Sequence, residues 1–222
     1  MPRRMKAEAA VRGQRSAVSA AKTIHSSQLV IQISLYFILQ SMKVTATVIP
    51  DVKIITPDVF GDMRGYFMET HNQAAMKAAG IDVCFCQDNE SCSGKGVLRG
   101  LHFQRPPYEQ AKLVRVVRGA VWDVAVDLRK ESPTFSHYVA VLLSGENKQQ
   151  LFIPRGFAHG FLVLEDETIF SYKCDNFYAP HADAGIRWDD PQVNVAWPKQ
   201  DVPFILSEKD RLLPFLSDAK FN

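Results

Sequence analysis

Residues 122–129 alternate between two kinds of side chain. The first set runs in steps of two from Trp122 to Leu128 and is entirely apolar, whereas Asp123 and Asp127 belong to the second set. Because successive side chains of a β-strand point to opposite faces, this alternation predicts a strand with one apolar face and one face that bears carboxylates. The apolar face has to be covered by another layer, so the segment constrains the chain to a layered fold.

Four further segments downstream have the composition of short strands. They cover residues 137–143, 150–153, 161–164 and 168–174. Turn residues separate the strands at intervals of roughly 8 to 15 residues, which is typical of a β-sandwich or β-barrel. The clearest helix before the C-terminal end covers residues 72–79, and Gly80 can end it. The sequence therefore predicts an all-β domain with short peripheral helices.

The first 41 residues differ in composition from the rest. They carry six basic residues and one acidic residue, a net charge of +5, whereas the remaining 20 basic and 23 acidic residues give the body −3. A mildly acidic body argues against a nucleic-acid groove, which needs clustered Lys and Arg. The apolar stretch 28–40 is too short for a membrane helix, which takes about 20 apolar residues. We expect neither a nucleic-acid partner nor a membrane partner.

Met42 begins a new pattern of period two that is typical of a first strand. We therefore expect residues 1–41 to be an N-terminal extension that is disordered or precedes the true start of the protein, and residues 42–222 to form one domain. An organellar targeting segment within residues 1–27 and a structural role for the extension are the alternatives.

The cysteines are Cys84, Cys86, Cys92 and Cys174. They form no C-x-x-C pair and match no common zinc spacing. Such a set is typical of reduced thiols in the cytosol, so we expect a cytoplasmic protein.

Five ionisable side chains interrupt the apolar strand patterns: His102, Lys112, Asp123, His159 and Tyr172. Burying such groups costs roughly several kcal/mol unless they are paired. Each alone would fit an ordinary structural or surface position. The interior of a β-barrel, however, brings alternate residues of every strand together, so one cavity could collect all five.

Part of a cupin metal-site pattern is present as Pro154-x-Gly156-x-x-His159, but the earlier part reads His102-x-Gln104. A cupin metal site needs a histidine where Gln104 stands, and an amide oxygen is a weak substitute for imidazole. The pattern predicts a cupin-like jelly roll, that is, a double-stranded β-helix, without a metal ion. We expect no cofactor.

Without a metal, these residues suit proton transfer at carbon. Histidine or a carboxylate can remove a C–H proton beside a ketone if the enolate oxygen is neutralised, as by Lys112. Inversion then needs an acid on the opposite face, and Tyr172 is the candidate. The sequence has no serine nucleophile elbow, phosphate-binding loop or dinucleotide glycine fingerprint.

Segments in unbroken order from about residue 43 to about residue 215 resemble the dTDP-4-dehydrorhamnose 3,5-epimerase family. The longest is Val97-Leu-Arg-Gly-Leu-His-Phe-Gln104. The others are Phe60-Gly-Asp-x-Arg-Gly-x-Phe-x-Glu69, Gln87-Asp-Asn-x-Ser91, Gln110-Ala-Lys-Leu-Val-Arg115, Asp123-Val-Ala-Val-Asp127, Phe157-Ala-His-Gly160, Tyr172-Lys173, Trp188-x-Asp190-Pro191 and Leu206-Ser-x-Lys-Asp210. The resemblance implies metal-independent 3,5-epimerisation of dTDP-4-dehydro-6-deoxy-D-glucose to dTDP-4-dehydro-L-rhamnose, in dTDP-L-rhamnose biosynthesis.

The resemblance also implies roles for the catalytic residues. His102 would be the general base, and Asp210 would fix its tautomer and stabilise the imidazolium. Tyr172 would return a proton to the other face, and Lys112 would stabilise the enolate. His159 and Asp123 would form a supporting pair. Asp123 could instead end a buried hydrogen-bond network, and Asp210 could be a helix-cap residue beside Ser207.

Substrate-binding roles are implied for a further set of residues. These are Arg64, Glu69, Gln87, Asn89, Arg99 and Phe177. The two arginines suit a diphosphate. Phe177 stands where the family often has Tyr, and Phe would keep ring stacking on the thymine while losing the hydroxyl. The family is a homodimer in which the segment around Arg64 and Glu69 serves the neighbouring site, although these two residues could also be an ordinary surface pair.

Three other functions stay open. An epimerase could invert only C3 or only C5, since one sequence does not reveal the room for a ring flip. A related 3,4-ketoisomerase would move the carbonyl instead. A non-catalytic sugar-binding jelly roll would need neither an acid nor a base, so the presence of both His102 and Tyr172 argues against it.

Overall fold

The computed structural model of the chain describes residues 42–221, so the expectation for the extension 1–41 lies outside the described residues. Thirteen strands and two short helices occur in this range. In chain order they are β1 (Met42–Ala46), β2 (Lys53–Pro57), β3 (Phe60–Asp62), β4 (Gly65–Phe67), α1 (Gln73–Ala78), β5 (Gln87–Ser93), β6 (Leu98–Gln104), β7 (Lys112–Arg118), β8 (Ala120–Asp127), β9 (Tyr138–Ser144), β10 (Gln150–Ile153), β11 (Phe157–Val163), β12 (Thr168–Cys174), β13 (Asp183–Gly185) and α2 (Glu208–Arg211).

The strands form two facing sheets and one separate hairpin. The six-stranded sheet has the order β1-β2-β10-β7-β12-β5, and the five-stranded sheet has the order β13-β6-β11-β8-β9. Strands β3 and β4 pair only with each other. Neighbouring strands within each sheet are antiparallel. The predicted all-β jelly roll with short peripheral helices is confirmed.

The main core lies between the two sheets. The six-stranded sheet contributes Val114, Leu151 and Phe170, and the five-stranded sheet contributes Ala125 and Phe161. Burial of each large apolar side chain contributes about 1.5–3 kcal/mol, so this layer holds the sheets face to face.

The two faces of β8 meet different surroundings. Val124 and Val126 point away from the six-stranded sheet and pack with Leu216 of the C-terminal segment. Ala125 lies in the interior between the sheets, and Asp123 is fully buried. The strand predicted from the alternation therefore has its apolar face on the outside of the sandwich, covered by the C-terminal segment. Its carboxylate Asp123 points inward.

The predicted first helix is confirmed as α1. The side chain of Asn72 caps it by accepting a hydrogen bond from the backbone N–H of Ala75, at 3.1 Å. Met76 of this helix packs against Leu113 and Phe152 on the outer face of the six-stranded sheet. Among residues 42–221, no helix is long and apolar enough to cross a membrane.

Candidate active site

His102 and Asp210 are neighbours in space although 108 positions separate them in sequence. His102 lies on β6 of the five-stranded sheet, and its Nε2 is 2.5 Å from Oδ1 of Asp210, the buried residue of α2. Ser207 caps α2 and donates its hydroxyl to the other carboxylate oxygen of Asp210, at 2.7 Å. Both oxygens of the carboxylate thus have partners, and its orientation toward His102 is fixed. Asp210 is therefore both a member of the pair with His102 and a residue of the first turn of α2.

The same hydrogen bonds determine the charge of Asp210. Burial acts to raise its pKa, but the hydrogen bonds from His102 and Ser207 outweigh burial and leave the pKa below its ordinary value. Asp210 is therefore a carboxylate at neutral pH and can stabilise a protonated His102.

Two glycines, Gly100 and Gly160, allow β6 and β11 to approach each other closely. A Cβ at Gly100 would lie 2.5 Å from the Cα of Gly160 on β11, and a Cβ at Gly160 would lie 2.6 Å from the carbonyl oxygen of Arg99. Any side chain at these positions would push the two strands apart. Their close approach sets His102 opposite His159 in the strand pairing.

Lys112 and Tyr172 lie on the facing six-stranded sheet, on β7 and β12. The Nζ of Lys112 is 5.9 Å from the centroid of the Tyr172 ring. Burial lowers the pKa of Lys112, although the nearby acidic groups of Asp123 and Asp183 oppose the shift. Burial also raises the pKa of Tyr172. The phenol therefore keeps its proton to higher pH, whereas the ammonium loses its proton more easily than an ordinary lysine does.

His159 and Asp123 form a buried pair beside these groups. The Nε2 of His159 lies 3.1 and 3.0 Å from the two carboxylate oxygens of Asp123. Burial lowers the pKa of His159 despite the carboxylate, and the charges of Lys112 and His102 lower it further. At neutral pH the imidazole of His159 is thus neutral, and its Nε2 faces the carboxyl group of Asp123. His159 is thus the hydrogen-bond partner of the buried Asp123 side chain.

Stacked aromatic rings connect the two sheets behind the ionisable groups. Phe161 of the five-stranded sheet stacks on Phe170 of the six-stranded sheet, with ring centroids 4.1 Å apart. Tyr172 lies next to Phe170, with centroids 5.9 Å apart, and His159 lies 6.1 Å from Phe170. The ionisable residues Tyr172 and His159 therefore lie beside an apolar aromatic stack.

Three of the predicted substrate-binding residues lie on β5 and β6, which belong to the two facing sheets. Asn89 of β5 pairs with Tyr172, and Gln87 donates to Asn89 at 3.0 Å. Arg99 of β6 reaches across to the hydroxyl of Ser93 on β5, at 3.2 Å. The guanidinium and both amides are therefore available on one side of the catalytic groups.

Phe177 lies in the connection after β12, and the residue is 66% exposed. Its main-chain carbonyl accepts a hydrogen bond from Gln104 at 3.2 Å. The ring is thus presented to solvent near the strand end that follows Tyr172.

Arg64 and Glu69 form their ion pair and hydrogen bonds with residues close to them in sequence. Arg64 lies between β3 and β4, has a side chain that is 90% exposed, and pairs with Asp62. Glu69 accepts hydrogen bonds from Asn72, at 3.3 Å for the shorter contact. The two side chains therefore have different partners within the chain.

Sequence reasoning missed what Gln104 does. It was considered only as the residue that replaces a metal ligand, yet its side-chain amide is buried and bonded to three main-chain groups. The amide oxygen accepts from the N–H of Ala179 at 2.6 Å. Within the described part of the chain, no three His, Cys, Asp or Glu side chains are grouped so as to hold a metal ion. The one available signal was that Gln104 follows His102 by two positions on the same strand face.

The geometry can be compared with known proteins. A family model described as dTDP-4-dehydrorhamnose 3,5-epimerase matches residues 46–218. The chain is 58% identical over 170 residues to the dTDP-4-dehydrorhamnose 3,5-epimerase of Shigella flexneri, with 76% of this chain and 93% of that protein covered.

Solved structures resemble the fold as well. A dTDP-6-deoxy-D-glucose-3,5-epimerase from Legionella pneumophila, in complex with dTDP-4-keto-L-rhamnose, superposes with a TM-score of 0.77 and 47% identity over 80% of this chain and 94% of that one. A 3'-monoepimerase from Streptomyces bikiniensis, in complex with dTDP-quinovose, has a TM-score of 0.73 and 33% identity over 78% and 87% of the two chains. Sequence, family model and structure agree: the chain belongs to the dTDP-4-dehydrorhamnose 3,5-epimerase family.

Proposed function

We propose that the chain epimerises dTDP-4-dehydro-6-deoxy-D-glucose at C3 and C5 to dTDP-4-dehydro-L-rhamnose by general acid–base catalysis. The observation that carries the proposal is the placement of a histidine–carboxylate dyad on one sheet and a protonated phenol on the facing sheet. A sugar ring held between the sheets would have a base on one face and an acid on the other.

His102 removes the proton from the carbon beside the 4-keto group. Asp210 holds the imidazole and stabilises its protonated form, as a buried carboxylate does in other histidine dyads. Negative charge then develops on the keto oxygen, and Lys112 is the nearby cation that can neutralise it. Asp123 of the buried pair opposes the lowering of the Lys112 pKa by burial and so favours the cationic form of Lys112.

Tyr172 delivers the second proton from the opposite face. Its raised pKa keeps the phenol protonated before the transfer, and the positive charge of Arg99 favours the phenolate that the transfer leaves. Solvent then returns a proton to Tyr172 and takes the abstracted proton from His102, so both residues are reset for the next inversion. Each inversion thus takes one proton to His102 and one from Tyr172.

The test is incubation of the protein with the 4-keto-6-deoxyglucose nucleotide, followed by proton NMR of the product. We expect the L-rhamno product, inverted at both centres. A product inverted at one centre would support a C3 or C5 epimerase, the second candidate, which the likeness to the 3'-monoepimerase favours. A shifted carbonyl would indicate a ketoisomerase, and unchanged sugar would overturn catalysis.

The nucleotide would be held by Gln87, Asn89 and Arg99 of the same chain, with the Phe177 ring stacked on the base. The guanidinium of Arg99 suits the diphosphate, because it offers several N–H donors in a fixed plane. The four free cysteines suit the reducing conditions of the cytoplasm.

A homodimer would supply Arg64 and Glu69 to the neighbouring site. The β3–β4 hairpin supports this proposal, because it pairs with neither sheet and exposes apolar side chains. They are Phe60, Met63, Tyr66 and Phe67. A hairpin of this composition would be covered in a dimer, and its arginine would then lie where a partner's diphosphate could reach it.

Mixing two defective variants tests the exchange. Arg64→Ala and His102→Ala should each be weakly active alone. If Arg64 serves the partner's site, the mixed dimer contains one site with both changes and one site with neither, so free mixing should restore about a quarter of the wild-type activity. No restoration after proven subunit exchange would place Arg64 in its own site.

Residues 42–222 should suffice for folding and activity, because the family model matches residues 46–218. A protein expressed from Met42 should melt cooperatively and epimerise as fast as the full chain. Loss of folding on this truncation would give the extension a structural role.

A further inference from the structure

The connection 175–182 leads from the six-stranded sheet to the five-stranded sheet. It leaves β12, which carries Tyr172, and enters β13, which pairs with β6, the strand that carries His102. The connection therefore lies between the strands of the proposed acid and the proposed base. The hydrogen bonds of this connection therefore influence how the two sheets are held together at this end of the sandwich.

Gln104 of β6 holds this connection from the five-stranded sheet. Its Nε2 donates to the carbonyl of Phe177 at 3.2 Å and to the carbonyl of Tyr108 at 2.7 Å. Its Oε1 accepts from the backbone N–H of Ala179 at 2.6 Å. The side chain is buried, with 6% of the residue exposed. Both ends of the amide are thus used, and every partner is a main-chain group.

Two more glutamines hold the connection from the side of the six-stranded sheet. Gln87 of β5 accepts at its Oε1 from the N–H of Tyr178, at 3.0 Å. Gln110, just before β7, donates to the carbonyl of Asn176 at 2.7 Å. We call Gln87, Gln104 and Gln110 the glutamine clamp. The clamp holds four consecutive residues, 176–179, by their backbone.

The catalytic groups lie between two ties that connect the sheets. The Phe161–Phe170 stack connects them behind Tyr172. The clamp connects them in front, at the strand ends where Gln104 and Lys112 line a common cleft of about 190 Å³. The main chain also joins the sheets at this end through residues 105–111 and 154–156, so the clamp adds side-chain hydrogen bonds to three covalent connections.

We propose that Gln104 is a positioning residue that, through the glutamine clamp, sets the distance between the sheet of His102 and the sheet of Tyr172 and Lys112. This inference rests on the proposed function. Two-sided proton transfer needs base and acid both within contact distance of one carbon, and a misplacement of about 1 Å can cost about 10²-fold in rate. Release of the clamp leaves the His102–Asp210 dyad intact, since both members belong to the five-stranded side, and moves it relative to Tyr172.

The test separates proton removal from inversion. In deuterated water, solvent deuterium enters the sugar when His102 removes a proton, whereas inversion also requires Tyr172. Gln104→Met keeps the length and volume of the side chain and removes the amide. We expect the ratio of deuterium exchange to inversion to rise about 10-fold or more over wild type, within the range that misplacement costs.

Gln110→Met releases the clamp from the other sheet and should move the ratio in the same direction, which keeps the test decisive if Gln104→Met fails to fold. The matched control is Gln200→Met. Its amide donates to a backbone carbonyl, that of Val163 at 3.3 Å, at the far end of β11. That variant should keep the wild-type ratio whatever it does to the melting temperature.

An unchanged ratio in folded clamp variants would overturn the inference while leaving the epimerase function in place. So would an equal rise in the Gln200→Met control, since the effect would then follow from general destabilisation. A wild-type protein that neither exchanges nor inverts would overturn the proposed function itself, and the inference with it.

Discussion

Asp210→Asn is the substitution whose effect follows most directly from the geometry. The amide can keep both contacts of the carboxylate, with its oxygen toward His102 and its nitrogen toward the hydroxyl of Ser207. What is lost is the negative charge 2.5 Å from the imidazole. A hydrogen bond to a charged group contributes about 1.5–3 kcal/mol. The imidazolium forms only as the substrate proton arrives, so the loss falls on the transition state.

Each 1.36 kcal/mol corresponds to a tenfold change in rate, so kcat should fall about 10- to 150-fold while KM changes little. The assay is initial-rate proton NMR of epimerisation over a range of substrate concentrations. Asp190→Asn is the matched control: Asp190 is a buried carboxylate that accepts from the backbone N–H groups of Val193 and Leu216. It should lower the melting temperature and leave kcat unchanged. A kcat for Asp210→Asn within threefold of wild type would refute the dyad.

Three further predictions concern pH and metal. Burial lowers the pKa of Lys112, so kcat should decline with rising pH at a lower pH than an ordinary lysine would cause. Lys112→Arg should move this decline to higher pH. If the decline stays where it is in the variant, another group causes it. Hydrogen bonds from Arg129, Ser132 and Thr134 overcome burial and lower the pKa of Asp127 from 3.8 to about 2, so its contribution of about 2 kcal/mol is present above pH 4 and is lost as the pH falls toward 2. Urea unfolding should show this difference between wild type and Asp127→Asn at pH 7 and a smaller one at pH 3; equal differences would contradict the shift. Dialysis against EDTA should leave kcat unchanged, and a loss restored by a divalent ion would show that a metal takes part.

The alternation around Asp123 predicted the strand and its two faces, because period two is a local property of β-structure. It did not predict which face lies inside. That depends on the C-terminal segment, which covers Val124 and Val126 from a distant part of the chain. Tertiary packing determines which face of the strand lies inside, and a local sequence pattern does not reveal it.

The five ionisable side chains within apolar strands predicted a polar cavity. The structure brings four of them together as two pairs, Lys112 with Tyr172 and His159 with Asp123. Asp210 entered only through the family resemblance, since it follows its histidine by 108 positions. The clamp was not predictable, because its partners are main-chain atoms whose positions depend on the path of the connection. The side chains of the connection carry no signal of it.

The central claim is that base and acid act from opposite sheets. It is tested most directly by measuring deuterium incorporation and inversion in deuterated water for His102→Ala and Tyr172→Phe. His102→Ala should lose both, by about 10²–10⁴-fold, as for a lost general base. Tyr172→Phe should lose inversion yet retain exchange, since protonated His102 can return a solvent-derived proton to the original face. Equal loss of exchange and inversion in both variants would contradict the two-sided mechanism.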